Sequence, residues 1–203
     1  MNPRRTVIVI GGSAGSMEPL IHLISNLEYN QMVDVALIVH RSNELGNMLG
    51  QLLNNYTVYK VMDAEHMEIL SNGIYLAPTD YHLLVDENYR LHFDFSEKVH
   101  HSRPSIDVTL ESFSYVFREN LIAVILSGSN EDGANGMSLV EQRGGKVFIQ
   151  DEQSAKYSRM PLAALEMTVN TEGKDIKELT EEINLILKGN NYEAFKIKNI
   201  IGR

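Results

Sequence analysis

The chain has 203 residues, with 18 Lys+Arg against 27 Asp+Glu for a formal net charge of −9, and 43% of it is hydrophobic. This is the composition of one acidic globular domain, which excludes disordered and fibrous classes, and no apolar run reaches the ~18 residues of a membrane span. Zero Cys removes disulfides, thiolate metal sites and Cys nucleophiles together, and net acidity without a Lys/Arg block argues against nucleic acid as a partner.

Val7-Ile-Val-Ile10 reads as a strand buried on both faces, and the Thr6–Ile10 stretch before Gly11-Gly12 is too short for a signal-peptide core. Met17, Leu20, Ile21, Ile24 and Leu27 then recur at helical period. Val35 to Val39 is a second buried strand, followed by a second one-sided helix through Leu45, Met48, Leu49, Leu52 and Leu53. Ile74–Ala77, His82–Val85 and Arg90–Phe93 are short strand-like pieces broken by turn residues, which predicts a small antiparallel hairpin insert around residues 74–94. A helix through Ile106, Leu110, Phe113 and Phe117 leads into a strand at Leu121–Leu126. A helix through Met137 and Val140 then leads into another strand at Lys146–Ile149. Asp175 to Lys188 has the spacing of a covering helix, with Gly189 as its C-terminal stop. Alternating strands and helices predict an α/β fold, a doubly wound and mostly parallel sheet with flanking helices. Without repeats or a linker-like tract, residues 1–203 read as a single domain.

Directly after the first strand, Gly11-Gly12-Ser13-Ala14-Gly15 satisfies G-x-S-x-G, with a strand before it and a helix after it. That is the setting of a nucleophile elbow, where a serine projects from the C-terminal sheet edge beside free helix N–H groups. A plain glycine turn or an anion cradle occupies the same place in many α/β sheets. The third glycine of a dinucleotide fingerprint is missing, and so is the Gly-Lys-Ser/Thr ending of a P-loop.

A serine hydroxyl needs a base, and the base needs a group to orient it. Of seven His, His40 directly follows the Val35–Val39 strand. Parallel strands end on one edge, so His40 should emerge beside Ser13. The loop Ser127 to Gly136 after the Leu121–Leu126 strand reaches the same edge and brings Asp132. Asp132 could orient His40, or it could simply cap the helix through Met137. The pair His100-His101 lacks the spacing of a metal site, and the reading calls for no metal and no cofactor.

With these residues in view, the chain resembles the catalytic domain of the chemotaxis protein-glutamate methylesterases, the CheB family. The resemblance rests on Val7 to Gly15, Ile38-Val-His40, Ile74 to His82 (an A-P-x-D-x-H stretch), Arg103-Pro-Ser-Ile-Asp-Val108, Ile125 to Gly136, and Gln150-Asp-Glu to Met160-Pro161. It implies hydrolysis of γ-glutamyl methyl esters on cytoplasmic chemoreceptor helices with release of methanol, and glutamine deamidation as a related activity. Ser13 would be the nucleophile, His40 the general base and then acid, and Asp132 the orienting carboxylate. Oxyanion donors would be the backbone N–H groups of Ala14 and the Ser129 loop. A methylated receptor, a separate receiver domain or a methyltransferase would be the partners, in the cytoplasm. The family enzyme normally carries a receiver domain ahead of the catalytic strand, whereas here that strand begins at Thr6, so control in cis is not expected from this chain.

The chain departs from the family pattern at Ala14, Ser16, Arg41-Ser42 and Ser129. These substitutions should reshape the mouth and the oxyanion loop more than the triad. They also motivate the alternative of a non-catalytic signalling scaffold that kept the fold. The net charge of −9 opposes docking on glutamate-rich helices, and Arg41 and Arg103 are the first candidates to offset that repulsion.

Overall fold

A computed structural model describes residues 5–40 and 48–201, with side chains described up to residue 189. The strands are β1 Thr6–Gly12, β2 Val33–Val39, β3 Val61–Asp63, β4 Ile74–Leu76, β5 His82–Val85, β6 Leu91–Asp94, β7 Leu121–Ile125, β8 Lys146–Gln150 and β9 Gly173–Lys174. The helices are α1 Met17–Asn26, α2 Met48–Leu53, α3 Ile106–Phe117, α4 Ala134–Gln142, α5 Arg159–Met167 and α6 Ile176–Ile201.

Seven strands form one sheet in the order β3-β4-β2-β1-β7-β8-β9, and every pairing in it is parallel. The continuous apolar runs are explained by burial on both faces. Along β1, Val7 and Val9 face a core shared with α3, α4 and α5. Ile8 and Ile10 face the opposite core, shared with α1, α2 and α6. At roughly 1.5–3 kcal/mol for each fully buried aliphatic side chain, this two-sided burial is the dominant stabilising term.

Of the three strand-like pieces in the middle of the sequence, β5 and β6 make the antiparallel hairpin, His82 pairing with Asp94 and Val85 with Leu91. The first piece joins the large sheet instead, with Ile74 beside Val35 and Val61. The Gly189 stop is corrected, because α6 continues through that glycine to Ile201. A glycine inside a helix costs about 1 kcal/mol relative to alanine, which weakens a helix without ending it.

Chain order fixes where a site can form. From β1 the chain passes to β2 beside it, then to the edge strand β3 and back to β4 between them, and it later returns to the other flank of β1 as β7, β8 and β9. The reversal leaves a crevice outside the C-terminal ends of β1 and β7, the switch point at which open parallel sheets bind ligands.

Candidate active site

Three loops leave the sheet at this edge. After β1, Ser13 N–H donates to Ser127 O at 3.0 Å, which ties the first loop to the third. After β2, His40 N–H donates to Gly12 O at 3.2 Å, so His40 begins its loop alongside Ser13. After β7, Leu126 N–H donates to Gly11 O at 2.9 Å and the chain runs on to Asp132.

The turn after Gly12 has a specific backbone requirement. Gly15 has φ +76°, and a Cβ there would lie 2.8 Å from Ser127 Oγ and 2.8 Å from Lys156 Cβ. Only glycine enters the left-handed region this cheaply. The turn is closed by Ser16, whose hydroxyl donates to Ser13 O at 2.7 Å. A buried Ser127 braces it from below, its hydroxyl donating to Ala14 O at 2.8 Å and accepting from Tyr157 N–H at 2.9 Å. Gln150 Oε1 in turn accepts from Ser127 N–H at 3.0 Å. Among the described residues the Ala14 and Ser129 N–H groups and the Ser13 hydroxyl make no hydrogen bond. Free N–H donors are what an oxyanion site would require.

His40 and Asp132 meet as the strand ends suggested, with Nε2 to Oδ2 at 2.9 Å. Asp132 is fully buried. Burial alone would raise its carboxyl pKa, but hydrogen bonds from His40, Ile106 N–H, Ser105 Oγ and Asp107 N–H outweigh burial and hold it below the usual aspartate value. A carboxylate kept ionised in this way fixes the proton of the imidazole on Nε2 and makes Nδ1 the acceptor nitrogen.

Asp132 is also a cap, though of a different helix from the one its sequence position suggests. α4 has Gly133 at its N-cap and no side-chain cap. The Ile106 and Asp107 N–H groups at the start of α3 donate to Asp132 at 2.8 and 3.1 Å.

Three further serines and a histidine carry the site without having been singled out in the sequence. Ser105 hydroxyl donates to Asp132 Oδ1 at 2.7 Å, and Ser127 supports the Ala14 turn. Ser102 Oγ lies 3.3 Å from His40 Nδ1. His82 is fully buried, accepting from Ser105 N–H at its Nδ1 (3.1 Å) and contacting Glu97 O through Nε2 (3.1 Å). Ser105 and His82 fall within the stretches that carry the family resemblance. Ser102 had no comparable signal. Arg103 folds back on the hairpin, its Nη1 donating to Ser96 O at 2.7 Å with the guanidinium 3.7 Å above the Phe95 ring. Arg41 lies outside the described residues.

A doubly wound parallel sheet that brings a glycine-turn serine, a histidine and a buried carboxylate to its switch point is the setting in which Ser-His-Asp hydrolases build their sites. Comparison with known proteins narrows the class. The family model for CheB methylesterase matches residues 8–183, and the chain belongs to that family. It is 35% identical over 162 residues to a putative protein-glutamate methylesterase/protein-glutamine glutaminase of Leptospira interrogans, covering 79% of this chain and 84% of that protein. It is 32% identical over 180 residues to the protein-glutamate methylesterase/protein-glutamine glutaminase of Archaeoglobus fulgidus, covering 87% of this chain. It is also 32% identical over 166 residues to the protein-glutamate methylesterase FrzG of Myxococcus xanthus, covering 81% of this chain. The match spans about half the length of those last two, 52% and 50%. The crystal structure of the Thermotoga maritima CheB methylesterase catalytic domain superposes with a TM-score of 0.83 at 27% identity, covering 90% of this chain and 98% of that domain.

Proposed function

We propose that this chain is a cofactor-free serine esterase that hydrolyses γ-methyl esters of glutamate side chains on a chemoreceptor or related signalling protein, and that it deamidates glutamine at such positions. The observation that carries the reading is the buried Asp132 bound to His40 Nε2 at 2.9 Å, on the same sheet edge as Ser13. The names of the relatives supply the substrate class.

In this mechanism Ser13 Oγ attacks the ester carbonyl while His40 Nδ1 takes its proton, and Asp132 stabilises the imidazolium that forms. The oxyanion is received by the Ala14 and Ser129 N–H groups, each worth about 3 kcal/mol of transition-state stabilisation. His40 returns the proton to the departing methoxide, so methanol leaves and an acyl-Ser13 ester remains. Water, deprotonated by the same nitrogen, then hydrolyses that ester and restores the hydroxyl.

Among the described residues no helix is long and apolar enough to cross a membrane, and the reading places the enzyme in the cytoplasm, where a receptor's signalling helices are accessible. The deciding measurement is methanol release from a methylated receptor by intact protein and by Ser13→Ala. The first should release methanol and the second should not, and equal release by both would overturn the proposal.

A further inference from the structure

Ser102 reaches the catalytic histidine by a route the triad does not explain. Val99 and Ser102 exchange backbone hydrogen bonds at 3.2 and 2.8 Å, closing a two-residue hairpin tip. The tip residues His100 and His101 both have positive φ, 48° and 62°. Asn-Gly is the usual occupant of such a tip, and bulkier residues there cost on the order of 1 kcal/mol each. Strain of this kind persists where surrounding structure imposes it, and His100 Nε2 is held 3.4 Å from Asp107 Oδ2. The result is that Ser102 turns inward, with Oγ 3.3 Å from His40 Nδ1.

The hydroxyl's surroundings direct its proton. Asn130 Nδ2 donates to Ser102 Oγ at 3.4 Å, which occupies a lone pair of the oxygen. The acceptors left for the Ser102 proton are His40 Nδ1 at 3.3 Å and His100 O at 3.4 Å. A neutral imidazole offers one in-plane lone pair once its other nitrogen carries the proton. With His40 as general base, Ser13 and Ser102 compete for that single acceptor, and Ser102 Oγ lies within reach of it at 3.3 Å.

We infer that Ser102 is a positioning residue that holds His40 Nδ1 in the free enzyme and yields it to Ser13 when an ester binds. The inference rests on reading His40 as the general base. The hydroxyl swings from Nδ1 to His100 O, with no covalent bond or proton exchanged. Holding the ring keeps Nε2 on Asp132 while the site is empty, at the cost of a resting competitor for the nucleophile.

Two measurements on the intact chain test this without a receptor. A small fluorophosphonate reports Ser13 reactivity, and Ser102→Ala should label about 2- to 10-fold faster than the parent, the worth of one net hydrogen bond. Ser102→Cys, a poor donor, should follow Ser102→Ala, while Ser102→Thr should label at the parental rate. The second measurement uses the Ser13→Ala protein, where the 15N resonance of His40 Nδ1 should move downfield when Ser102→Ala is added, since the nitrogen loses its donor. Labelling of Ser102→Ala at an equal or slower rate with unchanged melting temperature, or an Nδ1 resonance indifferent to Ser102, would overturn the inference. A parent that never labels would instead overturn the esterase reading, and the nitrogen resonance would still decide the role of Ser102.

Discussion

The Ser105 hydroxyl donates to Asp132 Oδ1 at 2.7 Å, so the N-cap residue of α3, whose hydroxyl also accepts from Val108 N–H, holds the carboxylate that meets His40. The start of α3 and the His40–Asp132 pair are one hydrogen-bonded unit. Asp132→Asn cannot satisfy it. Oδ1 receives Ser105 Oγ and Asp107 N–H, and Oδ2 receives Ile106 N–H and faces His40. Whichever way the amide turns, an N–H donor meets another donor. Turnover should fall by about 10⁴, the loss seen when the orienting carboxylate of a triad becomes an amide. Stability should fall by about 1–3 kcal/mol, read by urea unfolding. Full activity in Asp132→Asn would remove Asp132 from the mechanism.

Two buried aspartates at this helix start should respond to pH in opposite directions. Asp132 titrates below the usual aspartate value, so its contribution to stability is complete above about pH 4 and is lost as pH falls through its depressed folded value. Asp107 is raised, first by burial and also by the Asp132 charge, despite the Gly136 N–H and His100 that favour its ionised form. Among the described residues its Oδ2 makes no hydrogen bond, with the His100 ring nitrogen 3.4 Å away. Its contribution is therefore present below about pH 4 and is lost as pH rises through its raised folded value. Melting temperatures from pH 3 to 8 should show Asp132→Asn falling behind the parent as pH rises. Asp107→Asn should gain on the parent over the same interval, and parallel curves for all three proteins would refute the assignment.

Ser127 gives a separate test of how the Ser13 turn is held. Its buried hydroxyl is the only described side chain bridging Ala14 O and the Tyr157 N–H. Ser127→Ala leaves the strand pairing of β1 and β7 intact but frees the turn, so unfolding free energy should drop by about 1–2 kcal/mol. The rate should suffer more than the stability implies, because a displacement near 1 Å at the reacting centre can cost about 10²-fold. Gly15→Ala should act in the same direction through the 2.8 Å approach of its new Cβ to Ser127 Oγ. Unchanged kcat in both variants would show that the turn tolerates movement.

How much of this was legible in the sequence follows from what fixes each residue. Ser13, His40 and Asp132 could be placed because buried parallel strands leave β-branched runs, and strand ends converge on one edge. The sheet margins were not legible. β3 and β9 span 3 and 2 residues, too short for any periodicity, and Ile74–Leu76 has the same pattern whether it pairs with a hairpin or with β2. α5 was obscured by Pro161, which is tolerated in its first turn because the N–H groups there have no helical partner. The double role of Asp132 was hidden for another reason. Its partners Ile106 and Asp107 lie 26 and 25 residues earlier and meet it only because the sheet brings α3 over β7. Ser102 is the extreme case, since its contact with His40 spans 62 residues and depends on a turn with no glycine.

Arg103 offers the last test, because the structure gives its guanidinium a second occupation. It donates to Phe95 O and Ser96 O at 3.3 and 2.7 Å and stacks on the Phe95 ring, clamping the end of β6 against the segment that leads to Ser105. Arg103→Met keeps the apolar stem and removes the fork and the charge. The clamp alone predicts a loss of about 1–2 kcal/mol in stability, and Arg103→Lys should not restore it, because an ammonium lacks the planar fork. If the charge also draws an acidic receptor surface to an enzyme with net charge −9, KM should rise in Arg103→Met at low salt. That difference should shrink as salt approaches 1 M, where the screening length falls to about 3 Å. Arg103→Lys would then separate the two roles, recovering the low-salt KM while remaining as unstable as Arg103→Met. A KM deficit that persists unchanged at high salt would assign Arg103 to the clamp alone and leave attraction of the substrate to other positive groups at the mouth.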